Sequence, residues 1–104
     1  MEDVLQQVNL GVEGYETAAV LTMTEKEAKE AYAYLKKKYE NVHYINRDSS
    51  MFKKGITVTT YYLAKGLEFD QVFLVGGEKE NPFYKQYKYI GATRALHELY
   101  VYKG

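Results

Sequence analysis

The segment from Thr60 to Asp70 combines residues that could hold a ligand. A predicted strand ends at Tyr61 and the chain then turns through Lys65 and Gly66, which places this loop at the carboxyl edge of a sheet, where open α/β proteins bind ligands. Gly66 has no Cβ to keep a ligand or a partner backbone away. From the residues alone, Glu68 would be a surface carboxylate opposite Lys65.

Arg94 lies in a second segment, Tyr89–Ala95, which starts 19 residues after Asp70. On a helix, with about 100° per residue, it would project on the same side as three apolar residues, Phe83, Tyr87 and Ile90. A guanidinium group on an apolar stripe is costly unless it has an anionic partner or reaches out of the stripe. Within the chain, the partner of a buried Arg94 would be Glu98 or Asp70.

Both segments resemble known motifs. Thr60–Asp70 and Tyr89–Ala95, each beside a predicted strand, are similar to motifs V and VI of the UvrD/Rep-type superfamily I DNA helicases, in the same order. The amino-acid sequence of Tyr62–Asp70 is most similar to that of the same motif in the helicase IV-like group. The resemblance covers residues 60–76 and 87–101, and it implies that the chain is the second RecA-like motor domain of a helicase, without an accessory insertion.

The resemblance implies a role in an ATP site shared by two domains. Arg94 would reach the γ-phosphate of ATP, and Glu68 would accept a hydrogen bond from the nucleotide ribose in a loop that includes Lys65 and Gly66. The phosphate-binding loop and the ligands of Mg²⁺ would belong to the first RecA-like domain, which the resemblance places upstream. The fragment alone is therefore expected to be inactive.

The resemblance also implies a surface for single-stranded DNA near Thr60, Tyr61 and Tyr62. Many relatives carry a histidine at the position of Tyr62. A tyrosine there can still donate a hydrogen bond or stack on a base. The partners expected for the chain are therefore single-stranded DNA and the first motor domain of the same protein.

Hydrophobic patterns predict an α/β fold in one domain, residues 1–104, with 1–17 as an irregular lead-in. Apolar runs or alternation predict five strands, at Ala18–Met23, Val42–Ile45, Ile56–Tyr61, Gln71–Val75 and Leu99–Tyr102. One helix begins after a capping box at Thr24 and ends at Asn41. Asn81 and Pro82 start a second helix that runs to about Leu96. Strands separated by helices indicate a mostly parallel sheet.

The connector from Asn46 to Gly55 is short and polar. It predicts that the strands on either side, Val42–Ile45 and Ile56–Tyr61, lie in one sheet with no domain inserted between them.

Composition excludes several other classes of protein. The chain has 14 basic and 14 acidic residues and no cysteine, which excludes disulfides and thiolate metal sites and indicates a cytoplasmic protein. Zero net charge argues against global electrostatic capture of nucleic acid but leaves local patches open. Two histidines are too few for a metal site, and neither a secretory start nor an 18-residue apolar run is present, so no membrane partner is expected.

Two further interpretations stay open from the sequence. The chain could be a non-catalytic RecA-like interaction module, for example one associated with RNA polymerase. A nucleotide-binding domain unrelated to helicases is disfavoured, because the sequence contains no GxxxxGK[ST] loop.

Overall fold

The computed structural model of the chain describes residues 16–39, 42–45, 55–64, 67–76 and 80–102. The lead-in up to residue 15, Lys65, Gly66, Asn41 and residues 46–54 of the connector lie outside these ranges. The described strands are β1 (Thr17–Thr22), β2 (Val42–Tyr44), β3 (Gly55–Thr60), β4 (Phe69–Val75) and β5 (Ala95–Tyr102). The helices are α1 (Glu25–Lys36), α2 (Tyr84–Arg94) and a short 3-10 helix, η1 (Tyr61–Ala64).

The five strands form one sheet in the order β2-β3-β1-β4-β5, and every neighbouring pair is parallel. The predicted α/β fold is therefore confirmed. The two strands on either side of the short connector lie in this one sheet, as predicted, because β2 pairs with β3, with Val42 opposite Ile56.

The core has two layers, one on each face of the sheet. In β1, Ala18 and Val20 pack with α1, whereas Ala19 and Leu21 pack with α2. This arrangement explains the continuous apolar run of β1, because a strand covered on both faces has no polar side.

Helix α1 begins where the sequence predicted. The Thr24 hydroxyl accepts a hydrogen bond from the backbone N–H of Glu27 at 3.2 Å and lies 3.0 Å from the carboxylate of Glu27. The predicted end at Asn41 is wrong, because the helix ends at Lys36. A turn follows in which the carbonyl of Leu35 accepts from the N–H groups of both Lys38 and Tyr39.

Helix α2 is shorter than predicted at both ends. Asn81 does not cap the helix but forms a turn before it, accepting from the N–H of Phe83 through its side chain and from the N–H of Tyr84 through its carbonyl. The helix therefore begins at Tyr84, and Phe83 lies outside the apolar stripe predicted for it, 57% exposed. It ends at Arg94 because Ala95 already pairs with Phe69 in the sheet, so β5 begins four residues before the predicted start at Leu99.

Gly91 lets α2 approach the sheet closely. A Cβ at this position would lie 2.4 Å and 2.8 Å from the two methyl carbons of Leu74, which is fully buried in β4. The helix therefore packs on β4 at a distance that any larger residue would have to increase.

We expect Gly91→Ala to lower the free energy of unfolding by about 1–3 kcal/mol, because overpacking outweighs the gain in helix propensity of about 1 kcal/mol. Urea unfolding measures the change. Leu74→Ala removes the methyl groups concerned, so Gly91→Ala should cost much less in that background. Equal cost in both backgrounds would show that Leu74 does not limit this approach.

Candidate functional site

Glu68 and Arg94 lie together at the amino edge of the sheet. Glu68 directly precedes β4, Arg94 directly precedes β5, and the first residues of these strands, Phe69 and Ala95, are register partners. The Nη1 of Arg94 lies 3.5 Å from the carbonyl oxygen of Leu67, the residue before Glu68. The structure thus brings together two residues that the sequence selected 26 positions apart.

The guanidinium of Arg94 has no carboxylate within ion-pair distance in the part of the chain that the structure describes. Its Nε donates to the hydroxyl of Thr93 at 3.2 Å, and its side chain is half-buried. Asp70 and Glu98, the two acids that could have paired with it, bind other groups. Glu98 accepts from Gln71 at 2.7 Å and from the Tyr100 hydroxyl at 2.8 Å.

Asp70 joins the start of β4 to the start of β1. Its Oδ2 accepts from the N–H groups of Glu16 at 2.6 Å and Thr17 at 3.1 Å, while the N–H of Asp70 donates to the hydroxyl of Thr17 at 2.9 Å. The Nε2 of His97 lies 3.6 Å from Oδ1. Burial alone would raise the pKa of Asp70, but the hydrogen bonds from Glu16 and Thr17 and the nearby His97 hold this pKa below its ordinary value. This role of Asp70 could not be predicted from the sequence, because its partners are 53 and 54 residues away.

The sequence suggested that the loop after β3 lies at the carboxyl edge of the sheet. In the structure, its two ends lie at opposite edges. Strand β3 ends at Thr60 at the carboxyl edge, whereas Glu68 precedes β4 at the amino edge, since parallel strands have their starts and ends on opposite sides. The chain therefore returns across the sheet between Tyr61 and Glu68. Lys65 and Gly66, the two other residues expected in this loop, lie outside the described residues.

Of the three residues expected at the DNA surface, only Tyr62 has an accessible side chain. Thr60 is 1% exposed and Tyr61 is 8% exposed, whereas Tyr62 is half-buried. Tyr61 is covered because it packs against α2 through Tyr87.

Tyr87 fixes α2 on the carboxyl ends of two strands. Its buried hydroxyl lies 3.0 Å from the carbonyl oxygen of Leu21 in β1 and 3.1 Å from that of Val75 in β4. Burial, followed by the charge of Glu27, raises the pKa of Tyr87, so the hydroxyl stays protonated as a donor. The sequence placed Tyr87 on an apolar stripe but could not show which carbonyls its hydroxyl would reach.

A cavity of about 310 Å³ lies beside α1, away from the predicted site residues. It is lined by Thr22, Glu27, Glu30, Ala31, Tyr34 and Val75. Two carboxylates make it unsuited to a phosphate or a nucleic acid backbone.

Comparisons with known proteins agree with this architecture. Residues 55–102, which contain both of the segments Thr60–Asp70 and Tyr89–Ala95, match the family model of the UvrD-like helicase C-terminal domain. A solved structure, the C-terminal domain of a possible DNA helicase from Lactobacillus plantarum WCFS1, is similar to the chain with 28% identity and a TM-score of 0.75. The fold of the chain is therefore similar to that of this solved C-terminal domain.

The structural similarity to this helicase domain extends over 96% of the present chain, including the residues before the family match. The chain spans 63% of the length of the solved one. No curated protein matches the sequence. In the parts of the chain that the structure describes, no helix is long and apolar enough to cross a membrane.

We expect Asp70→Asn to weaken the domain and to flatten its dependence on acid. The pKa of Asp70 is lower in the folded than in the unfolded chain, so its stabilising effect is complete above the unfolded value of 3.8 and is lost as pH falls through the folded value. Urea unfolding between about pH 6 and pH 3 should therefore show a steeper loss of stability in the parent than in the variant. Glu30→Gln, which removes an exposed carboxylate from α1, should leave the slope unchanged. Parallel curves for the parent and Asp70→Asn would contradict the assignment.

Proposed function

We propose that this chain is the second motor domain of an ATP-dependent DNA helicase or translocase. It would complete an ATP site whose phosphate-binding loop and Mg²⁺ ligands belong to a first RecA-like domain of the intact protein. The observation that carries the proposal is the placement of Arg94 beside Glu68 at one sheet edge, with no carboxylate partner for Arg94 among the described residues.

The residues at this edge suit a nucleotide. A guanidinium has five N–H donors in a planar fork that matches phosphate oxygens. Within the described ranges, Arg94 uses only two of its nitrogen atoms, one to donate to Thr93 and one to donate to Leu67. Glu68 is exposed, so its carboxylate is free to accept a hydrogen bond from a ribose hydroxyl. In the proposal, Gly66 and Lys65 complete the loop between this edge and η1.

ATP would supply the phosphoanhydride bond whose hydrolysis opens and closes the gap between the two motor domains. Arg94 would neutralise the charge that develops on the transferred phosphoryl group, while Glu68 orients the nucleotide. Tyr62 would contact the single strand by stacking, which is independent of base sequence. Such a motor acts on DNA, and we place it in the cytoplasm.

In the intact protein, we expect Arg94→Ala to lower the turnover of ATP by about 10³-fold or more, on the scale of other arginine fingers. Nucleotide affinity should change much less, because a contact made mainly in the transition state affects kcat rather than ground-state binding. Single-turnover hydrolysis and nucleotide titration measure the two effects.

Arg94→Lys should restore little of this activity, because an ammonium group cannot reproduce the planar fork. Thermal unfolding of the same samples provides the control for structure. A folded Arg94→Ala protein with near-normal turnover would refute the finger assignment.

The 104-residue chain by itself should hydrolyse no ATP above background and should bind nucleotide no more tightly than about millimolar, since half of the donors of the proposed site lie on the other domain. Isothermal titration calorimetry tests this directly. Micromolar binding of ATP by the chain alone would refute a site shared between two domains.

A further inference from the structure

The outward face of α2 is basic and aromatic. Apart from Arg94 at its end, the helix carries two cations, Lys85 and Lys88, and it has no acidic residue along its length. Lys85 and Lys88 are exposed, and Tyr89 is 70% exposed. With about 100° per residue, Lys85 and Tyr89 project opposite the buried side of the helix. Helix α1, in contrast, mixes glutamates and lysines, and the whole chain has no net charge.

A continuous chain of ring contacts connects this face to Tyr62. The ring of Tyr62 lies 5.5 Å from that of Tyr61, and Tyr61 lies 5.6 Å from Tyr87. Tyr87 lies 6.2 Å from Tyr84, and the Nζ of Lys88 lies 5.7 Å from the centre of the Tyr84 ring. The accessible members, Tyr62, Tyr84 and Lys88, therefore border one aromatic cluster, whose buried members hold them in place.

A face of this chemistry suits the backbone of a single-stranded nucleic acid. Lysines without neighbouring carboxylates on their helix attract phosphates, and an exposed ring offers a platform on which a base of any sequence can stack. An acidic protein segment would use the lysines but would leave the ring of Tyr89 without a matching group. Tyr62 and Lys88 border the same aromatic cluster, so one extended ligand could contact both.

We propose that a single strand passes from Tyr62 onto the outward face of α2, with its phosphates at Lys88 and Lys85 and a base stacked on Tyr89. This inference rests on the proposed function, since it extends the surface for single-stranded DNA beyond motif V. Because Thr60 and Tyr61 are buried, Tyr62 is the accessible member of the surface predicted from the sequence. The face of α2 would supply the further contacts that a single strand needs.

Nuclear magnetic resonance titration of the 104-residue chain with a short oligothymidylate tests the location of the surface. The amide signals of Tyr62, Lys85, Lys88 and Tyr89 should shift progressively, and the shifts should shrink as salt is raised, because phosphate contacts release counterions. Shifts confined to α1, or no shifts at low salt, would overturn the proposal.

A pair of matched double variants tests the role of charge. Lys85→Gln with Lys88→Gln should weaken oligothymidylate binding about tenfold at low salt and reduce the salt slope by about 1.4, the expectation for two lost contacts to a single strand. Lys26→Gln with Lys29→Gln removes two exposed lysines at the same spacing from α1 and should change neither quantity. Tyr89→Ala should weaken binding about fivefold or more without changing the slope. Equal losses in the two double variants would overturn the proposal.

Two further measurements separate this proposal from its alternatives. A polyglutamate peptide that shifts the same signals as strongly as the oligonucleotide would assign the face to an acidic protein partner instead. In the 104-residue chain, Arg94→Ala should bind oligothymidylate with nearly the affinity of the parent. Arg94→Ala could leave ATP turnover in the whole protein unchanged while oligothymidylate still shifts the signals of Tyr62 and α2. That result would refute the motor assignment but would support the nucleic-acid surface on α2.

Discussion

The rest of the structure depends on the complete burial of β1. All six residues of Thr17–Thr22 are buried, because β1 has a parallel neighbour on each side and a helix over each face. A strand in this position has no polar face, and its backbone groups must be satisfied by β3 and β4. The two helices are therefore fixed relative to each other through one strand, and the positions of Arg94 and Tyr62 follow from that arrangement.

The hydroxyl of Tyr87 fixes the position and orientation of α2 on the sheet. Apolar contacts alone would let α2 slide on the sheet, since the hydrophobic effect has no direction. Hydrogen bonds from Tyr87 to the carbonyls of Leu21 and Val75 fix the amino-terminal half of the helix at the carboxyl edge. The 11 residues of α2 then extend about 16 Å, which carries Arg94 to the opposite edge. One helix thus connects the surface at Tyr62 with the edge that carries Arg94.

The sequence predicted those features that depend on neighbouring residues. Thr24 and Glu27 are three positions apart, so their capping interaction could be recognised locally, and β1 was evident from its apolar run. The start of α2 was missed because Asn81 satisfies the N–H of Phe83 in a turn instead of capping the helix. The return of the chain from Tyr61 to Glu68 across the sheet could not be predicted, because it depends on contacts between η1 and α2 that are distant in sequence.

Packing against the sheet determines which residues occupy the buried side of α2, and this explains why the sequence of the helix has a low helix propensity. A helix selected for stability alone would not place a glycine at its centre or three tyrosines within six residues. Gly91 permits the close approach to β4 that brings Arg94 within reach of the Leu67 carbonyl, and Tyr87 needs an aromatic ring long enough to reach the ends of two strands. The outward residues, in contrast, make no contribution to the core. The absence of acids there, where glutamates would favour the helix N-terminus, is not required by folding, and it suits the anionic partner that we propose.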